Sequence, residues 1–157
     1  MLIGVVADTH GDTDKICQHL KQWKLDQLIF AGDYYRDGKK IAQTLQINYY
    51  GVRGNCDRSE PSARDEEIVT VIDKRFYILH GHQYGVKQSM TRLHYRALEL
   101  EADVVIYGHT HAAQLQQIDH IWMINPGSAS RPRFDDRSSY VLIEMDKNLF
   151  QPRLVYI

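Results

Sequence analysis

Hydrophobic positions in this chain fall in short runs, and run after run stops at a carboxylate, an amide or an imidazole. Ile3-Gly4-Val5-Val6-Ala7 is continuously apolar and ends in Asp8-Thr9-His10-Gly11. A run of that length, rich in Val and Ile and closed by a turn, predicts a buried strand. Leu28-Ile29-Phe30-Ala31 repeats the pattern and ends in Gly32-Asp33; residues 47–52 do so again and end in Gly54-Asn55-Cys56-Asp57. Between these strands the apolar spacing is helical. Ile16, Leu20 and Trp23 stand at i, i+4 and i+7, with Cys17 beside the stripe and His19 expected in solvent, and a second helix is predicted over residues 37–45. The first third therefore reads β-α-β-α-β. Right-handed crossovers gather its strand ends on one rim, where ligands bind in α/β arrangements.

The middle of the chain changes character. Residues 58–67 are polar, contain Pro61 and predict a loop. Residues 68–72 and 76–79 predict two strands about the turn Asp73-Lys74-Arg75, the second ending in His80-Gly81-His82. Val86, Met90, Leu93, Ala97 and Leu100 predict the longest helix, with His94 in solvent. Val104-Val105-Ile106-Tyr107 then ends in Gly108-His109-Thr110-His111. Residues 115–118 and 121–124 predict a hairpin turning at Asp119-His120, followed by Asn125-Pro126-Gly127-Ser128 and a polar loop through Arg133 and Asp136. Residues 140–143 and 154–157 are expected to be closing strands. An α/β beginning and a strand-rich end predict an α/β four-layer sandwich: two mixed β-sheets flanked by helices, in one domain spanning residues 1–157.

Composition narrows the setting. With 157 residues and a formal net charge of -1, the chain has no basic excess suited to nucleic acid, which is not expected as a partner. Its two cysteines, Cys17 and Cys56, do not make a secreted disulfide framework. The start has no basic segment leading into an apolar one, and no run approaches membrane-spanning length. A cytoplasmic protein that does not bind membranes is expected.

The chemistry lies in the strand endings. Asp8-x-His10, Gly32-Asp33, Gly54-Asn55-x-Asp57, His80-Gly81-His82 and Gly108-His109-x-His111 close five apolar runs. One strand-end histidine is ordinarily structural; five polar endings together point to metal. Carboxylate oxygens with imidazole nitrogens suit divalent manganese, iron, nickel or zinc better than calcium or magnesium. One ion needs only three or four of these side chains. The surplus points to two ions about 4 Å apart, bridged by a carboxylate and able to clamp a phosphoryl group.

In this order the endings resemble the calcineurin-like metallophosphoesterases, and most closely their small bacterial and archaeal phosphodiesterase branch. Gly54-Asn55-Cys56-Asp57 and Asn125-Pro126-Gly127-Ser128 resemble that branch too, and the likeness runs from residue 3 to about residue 133. The resemblance implies a two-sheet sandwich. It implies a first metal held by Asp8, His10 and His111, a second held by Asn55, His80 and His109, and Asp33 bridging both. Manganese is the first expectation, with iron, nickel or zinc as alternatives. The attacking group it implies is a hydroxide bridging the two metals.

Two departures bear on substrate. The wider superfamily follows Gly-Asn with a histidine thought to protonate the leaving group, and this chain has Cys56 there. A neutral thiol is a poor substitute for imidazolium near neutral pH, so good leaving groups, as in diesters and aryl esters, are expected. Cys56 and Asp57 are the catalytic candidates; Asp57 either orients its neighbours or caps the next turn, and His82 is the nearest substitute acid. Related protein phosphatases carry an Asp and then an Arg after the Asp33 position. Here Arg36 precedes Asp37, so that arginine is not carried over. Arg131 and Arg133 are candidate contacts for an anionic substrate, and the tyrosines are candidates for stacking or for contacts between copies in a homo-oligomer. The expected function is hydrolysis of small organic phosphodiesters, with a small-molecule phosphate ester as partner. The alternatives are a phosphomonoesterase on a nucleotide or sugar phosphate and a non-catalytic scaffold with this fold.

Overall fold

A computed structural model describes residues 1–133 and 137–157. Asp136, predicted in the polar loop, lies outside them. The elements in order are β1 (Leu2–Val6), α1 (Asp14–Leu20), β2 (Gln27–Ala31), α2 (Tyr35–Leu45), β3 (Asn48–Val52), β4 (Glu66–Val71), β5 (Lys74–Leu79), α3 (Thr91–Glu99), β6 (Val104–Ile106), β7 (Ala113–Ile118), β8 (Ile121–Pro126), β9 (Ser139–Met145) and β10 (Phe150–Tyr156).

The strands form two five-stranded sheets, ordered β10-β9-β1-β2-β3 and β4-β5-β6-β8-β7. Each is parallel at its centre, β1 with β2 and β3 in one and β5 with β6 and β8 in the other, and antiparallel toward its remaining edges. Both sheets are mixed, as expected.

Alternation along each strand sorts the core into three layers. Ile3, Val5, Ile29, Phe76, Ile78, Val104, Ile106, Val141 and Ile143 point between the sheets and are buried together. Val6, Leu28, Phe30, Tyr140 and Leu142 point the other way, onto Ile16, Leu20, Ile41 and Ala42 of α1 and α2. Tyr77, Leu79, Val105 and Tyr107 meet Leu93 and Ala97 of α3 on the far face. The result is the predicted α/β four-layer sandwich. Because both faces of β1, β2, β5 and β6 are covered, these strands read as continuous apolar runs.

Several local expectations are corrected. The longest helix is α2, with 11 residues against nine in α3. Val86 lies in the turn that leads to α3, which begins only at Thr91, yet its side chain still joins the α3 core. Trp23 lies beyond α1, but it packs on the same layer and donates from Nε1 to the Tyr140 hydroxyl at 2.8 Å. His94 is half-buried rather than in solvent, its Nε2 3.2 Å from Asp119 Oδ2. Among the described residues, no helix is long and apolar enough to cross a membrane.

The β4–β5 connection is tighter than the sequence suggested. Pairing runs to Val71 opposite Lys74, so the turn is Ile72-Asp73, and Ile72 sits exposed at φ +59. A β-branched residue there is strained, and the first position of a two-residue hairpin turn favours glycine. Ile72→Gly is expected to raise stability by roughly 1 kcal/mol, read from the midpoint of urea unfolding.

Candidate metal centre

The carboxyl ends of β1, β2 and β3 in one sheet and of β5 and β6 in the other open onto one rim. The turns there are sharp. Asp8, His10, His109 and His111 all have positive φ, at 54°, 47°, 69° and 60°. Left-handed backbone costs a non-glycine residue about 1–2 kcal/mol, so surrounding contacts must hold it. Asp37, nearly buried at the start of α2, supplies two: its Oδ2 accepts from Thr9 Oγ1 at 2.6 Å and from the Gly11 N–H at 2.8 Å. From the other side, Ser128 Oγ donates to the Asp8 carbonyl and Ser130 Oγ to the Thr9 carbonyl, both at 2.7 Å. Asn125 braces the next turn, donating from Nδ2 to the Gly108 carbonyl and to Thr110 Oγ1, each at 3.0 Å.

Asp8, His10 and His111 each place one ligand atom within 4.8 Å of the others. The Nε2 atoms of His10 and His111 are 3.1 Å apart, and His111 Nε2 lies 3.5 Å from Asp8 Oδ1. His111 Nδ1 donates to the Arg131 carbonyl at 2.6 Å, which leaves the lone pair on Nε2, facing the group. Burial, the largest influence on both imidazoles, lowers their pKa values and keeps them neutral. Asp8 is wholly buried, and its Oδ1 has no hydrogen-bond partner among the described residues. Burial pushes its pKa up to about 7, with His80 opposing and Asp33 adding to the rise.

A second group joins Asp8, Asp33 and His80. His80 Nδ1 donates to the Ala31 carbonyl at 2.8 Å, so Nε2 faces Asn55 Oδ1 at 3.2 Å, Asp33 Oδ2 at 3.5 Å and Asp8 Oδ1 at 4.0 Å. Three oxygens converging on one ring nitrogen require a cation between them. A proton answers this need in the bare protein. Burial works against it, but the Asp33 and Asp8 carboxylates outweigh burial and raise the His80 pKa. Asp33 moves the opposite way to Asp8. Although burial raises it, His80 and the Cys56 N–H, 3.0 Å from Oδ1, hold it well below the usual carboxylate range. Imidazole and carboxylate donors facing one another, with the buried Asp8 Oδ1 left without a hydrogen-bond partner among the described residues, fit a divalent cation.

Five of the seven ligands expected from sequence thus fall into the two groups. Asn55 reaches the second through His80. His109 stands beside it, its ring 5.0 Å from that of His80, its N–H donating to Asp8 Oδ2 at 3.0 Å, and its pKa lowered to about 4, chiefly by burial. A third group unites His10, Asp33 and Cys56. Close packing holds the carboxylates: a Cβ at Gly54 collides with Asp33 Oδ1, and one at Gly32, itself at φ +70, falls 2.8 Å from His80 Nδ1.

The catalytic candidates separate. The Cys56 thiol is raised to about 11, first by burial and then by Asp33, and stays neutral. Asp57 accepts the Gly54 N–H at 2.7 Å and the Tyr35 N–H at 2.8 Å, committing both carboxylate oxygens to backbone. That is a brace between the preceding turn and the start of α2, rather than a cap on the turn that follows. His82 is half-buried, its ring 5.5 Å from that of His80. Arg131 and Arg133 are exposed. Sequence reasoning missed the roles of Asp37, Asn125, Ser128 and Ser130. The available signal was Asp37, an acid four residues before Ile41 on the buried stripe of a helix.

A sequence model of the calcineurin-like phosphoesterase superfamily domain matches residues 1–148. The chain belongs to that family. It is 31% identical over 150 residues to the probable metallophosphoesterase YsnB of Bacillus subtilis, covering 94% of this chain and 86% of that protein. It is 26% identical over 170 residues to the phosphodiesterase YfcE of Escherichia coli, covering 93% and 89%. A crystal structure of a predicted phosphoesterase from Streptococcus pneumoniae superposes with a TM-score of 0.84 at 25% identity, over 99% of this chain and 88% of that one. These relatives support a metal-dependent hydrolase.

Two outcomes follow from the rim. Since the folded Asp8 keeps a proton that an unfolded carboxyl loses near 3.8, metal-free stability contributed by this group falls as pH rises through about 7. In chelator, Asp8→Asn is therefore expected to gain on the parent chain between pH 5 and pH 8, by roughly 2 kcal/mol or more. Urea unfolding across that range checks the sign, and a difference independent of pH contradicts it. Gly54→Ala displaces the Asp33 carboxylate, and manganese titration by calorimetry is expected to show affinity reduced at least about tenfold.

Proposed function

We propose that this chain is a phosphodiesterase of small organic phosphodiesters that works with two divalent cations. The observation that carries this reading is the sharing of buried carboxylates between donor groups: Asp8 belongs to two of them, and Asp33 links His80 to His10. In the proposed arrangement Asp8, His10 and His111 hold one cation, Asn55, His80 and His109 hold the other, and Asp33 lies between. When bound, the pair supplies Lewis acidity, a bridging hydroxide at neutral pH and positive charge for the phosphoryl oxygens. The mixed oxygen and nitrogen donors suit divalent manganese, iron, nickel or zinc, and manganese is the ion we propose.

The chain's own residues prepare the site. Asp33 is ionised throughout the working pH range and serves as a permanent oxygen donor. Backbone carbonyls fix the ring orientation of His80 and His111 in advance. Cys56, kept neutral, is a weak proton donor near pH 7, which favours esters whose leaving group departs without one. This favours diesters and aryl esters over alkyl monoesters. We place the activity in one folded unit in the cytoplasm, consistent with the sparse cysteines.

The test is turnover of an aryl phosphodiester with added manganese. Activity is expected to depend on metal and to fall at least about a hundredfold in Asp33→Asn. Metal binding without turnover of a broad panel of diesters and monoesters overturns the assignment.

A further inference from the structure

Beside the second donor group the rim opens into a cavity of about 420 Å³ lined by Arg53, Gly54, Asn55, Asp57, Arg58, Asp65, His82 and Gln83. Two of these bind it to the site: Asn55 Oδ1 is 3.2 Å from His80 Nε2, and the His82 ring is 5.5 Å from that of His80. No lining residue is aliphatic or aromatic apart from the imidazole. The cavity flanking β3, by contrast, is lined by Ala42, Ile47 and Tyr49 among others.

Its charges cancel. Arg53 is spent on Asp65, donating from Nε to Oδ1 at 2.7 Å and from Nη2 to Oδ2 at 3.0 Å. Asp57, nearly buried, and Arg58 carry opposite formal charges, so the lining sums to zero. The lining itself offers a second phosphoryl group no net positive charge, and an aryl group no apolar wall. Hydrogen-bonding capacity is ample, however, in the exposed Arg58 fork and the exposed Gln83 amide. The volume lies in the range of small-ligand pockets.

We propose that this cavity receives one ester group of the diester and selects an uncharged, hydroxyl-bearing alcohol, of the glycerol or sugar kind. The inference rests on the phosphodiesterase reading of the neighbouring donor groups. Arg58 and Gln83 are specificity residues under it, outside the metal-binding set.

Two substrates with the same 4-nitrophenyl leaving group provide the test, one carrying glyceryl and the other phenyl as its second ester. With manganese-loaded protein, kcat/KM is expected to be about tenfold higher for the glyceryl ester, through KM, as one or two hydrogen bonds to an uncharged group allow. Arg58→Ala and Gln83→Ala are each expected to cut that preference severalfold, by raising KM for the glyceryl ester more than for the phenyl ester. Equal KM for the two esters, or variants that weaken both alike, overturns the pocket assignment alone. No metal-dependent turnover of either ester overturns the reading of the site, and the pocket assignment with it.

Discussion

Two carboxylates, Asp8 and Asp33, are held out of water within reach of each other, and the rest of the rim follows from that. Like charges so placed repel, and burial adds a second penalty. The protein meets both with opposite solutions for the two groups: Asp33 stays ionised beside the His80 imidazole and the Cys56 N–H, while Asp8 retreats toward its protonated form. Such an arrangement persists only because backbone packs where side chains normally stand. A Cβ at Gly54 would collide with Asp33 Oδ1 and one at Gly108 would fall 2.9 Å from Asp8 Oδ2, so each carboxylate occupies space a side chain would otherwise take.

The two sheets contribute different chemistry to this meeting. Asp8, His10, Asp33 and Asn55 follow β1, β2 and β3, whereas His80, His109 and His111 follow β5 and β6. Every acid comes from one sheet, and three of the four imidazoles come from the other. The apolar layer between the sheets fixes their separation, so packing far from the rim sets the distance between donor groups. This is how an ordinary sandwich core becomes part of a site's geometry.

Much of this was legible in the sequence because a strand covered on both faces has an unmistakable composition. The apolar runs of β1, β2, β5 and β6 announced their burial, and their polar endings announced the rim. Residues acting through backbone geometry were not legible. Asp37, Ser128 and Ser130 hold left-handed turns by bonds to peptide groups, and peptide groups leave no mark on a sequence. Ile72 shows the reverse error: an apolar β-branched residue reads as strand, yet the register with β5 places it in the turn. Val86 keeps the helical apolar spacing because its side chain packs on the α3 core from the turn before the helix, and spacing alone does not tell the two apart.

The bond from the His109 N–H to Asp8 spans 101 residues, as does the approach of His10 to His111. Closing a span of that length costs chain entropy, as does the β1–β9 pairing that sets Leu2 opposite Glu144 in the first sheet. The rim is consequently a reporter on the whole assembly. A nascent chain that has formed β1, β2 and β3 holds the acids but not their main imidazole partners, and has no competent grip on an ion. The donor groups therefore come together only when both sheets are in place.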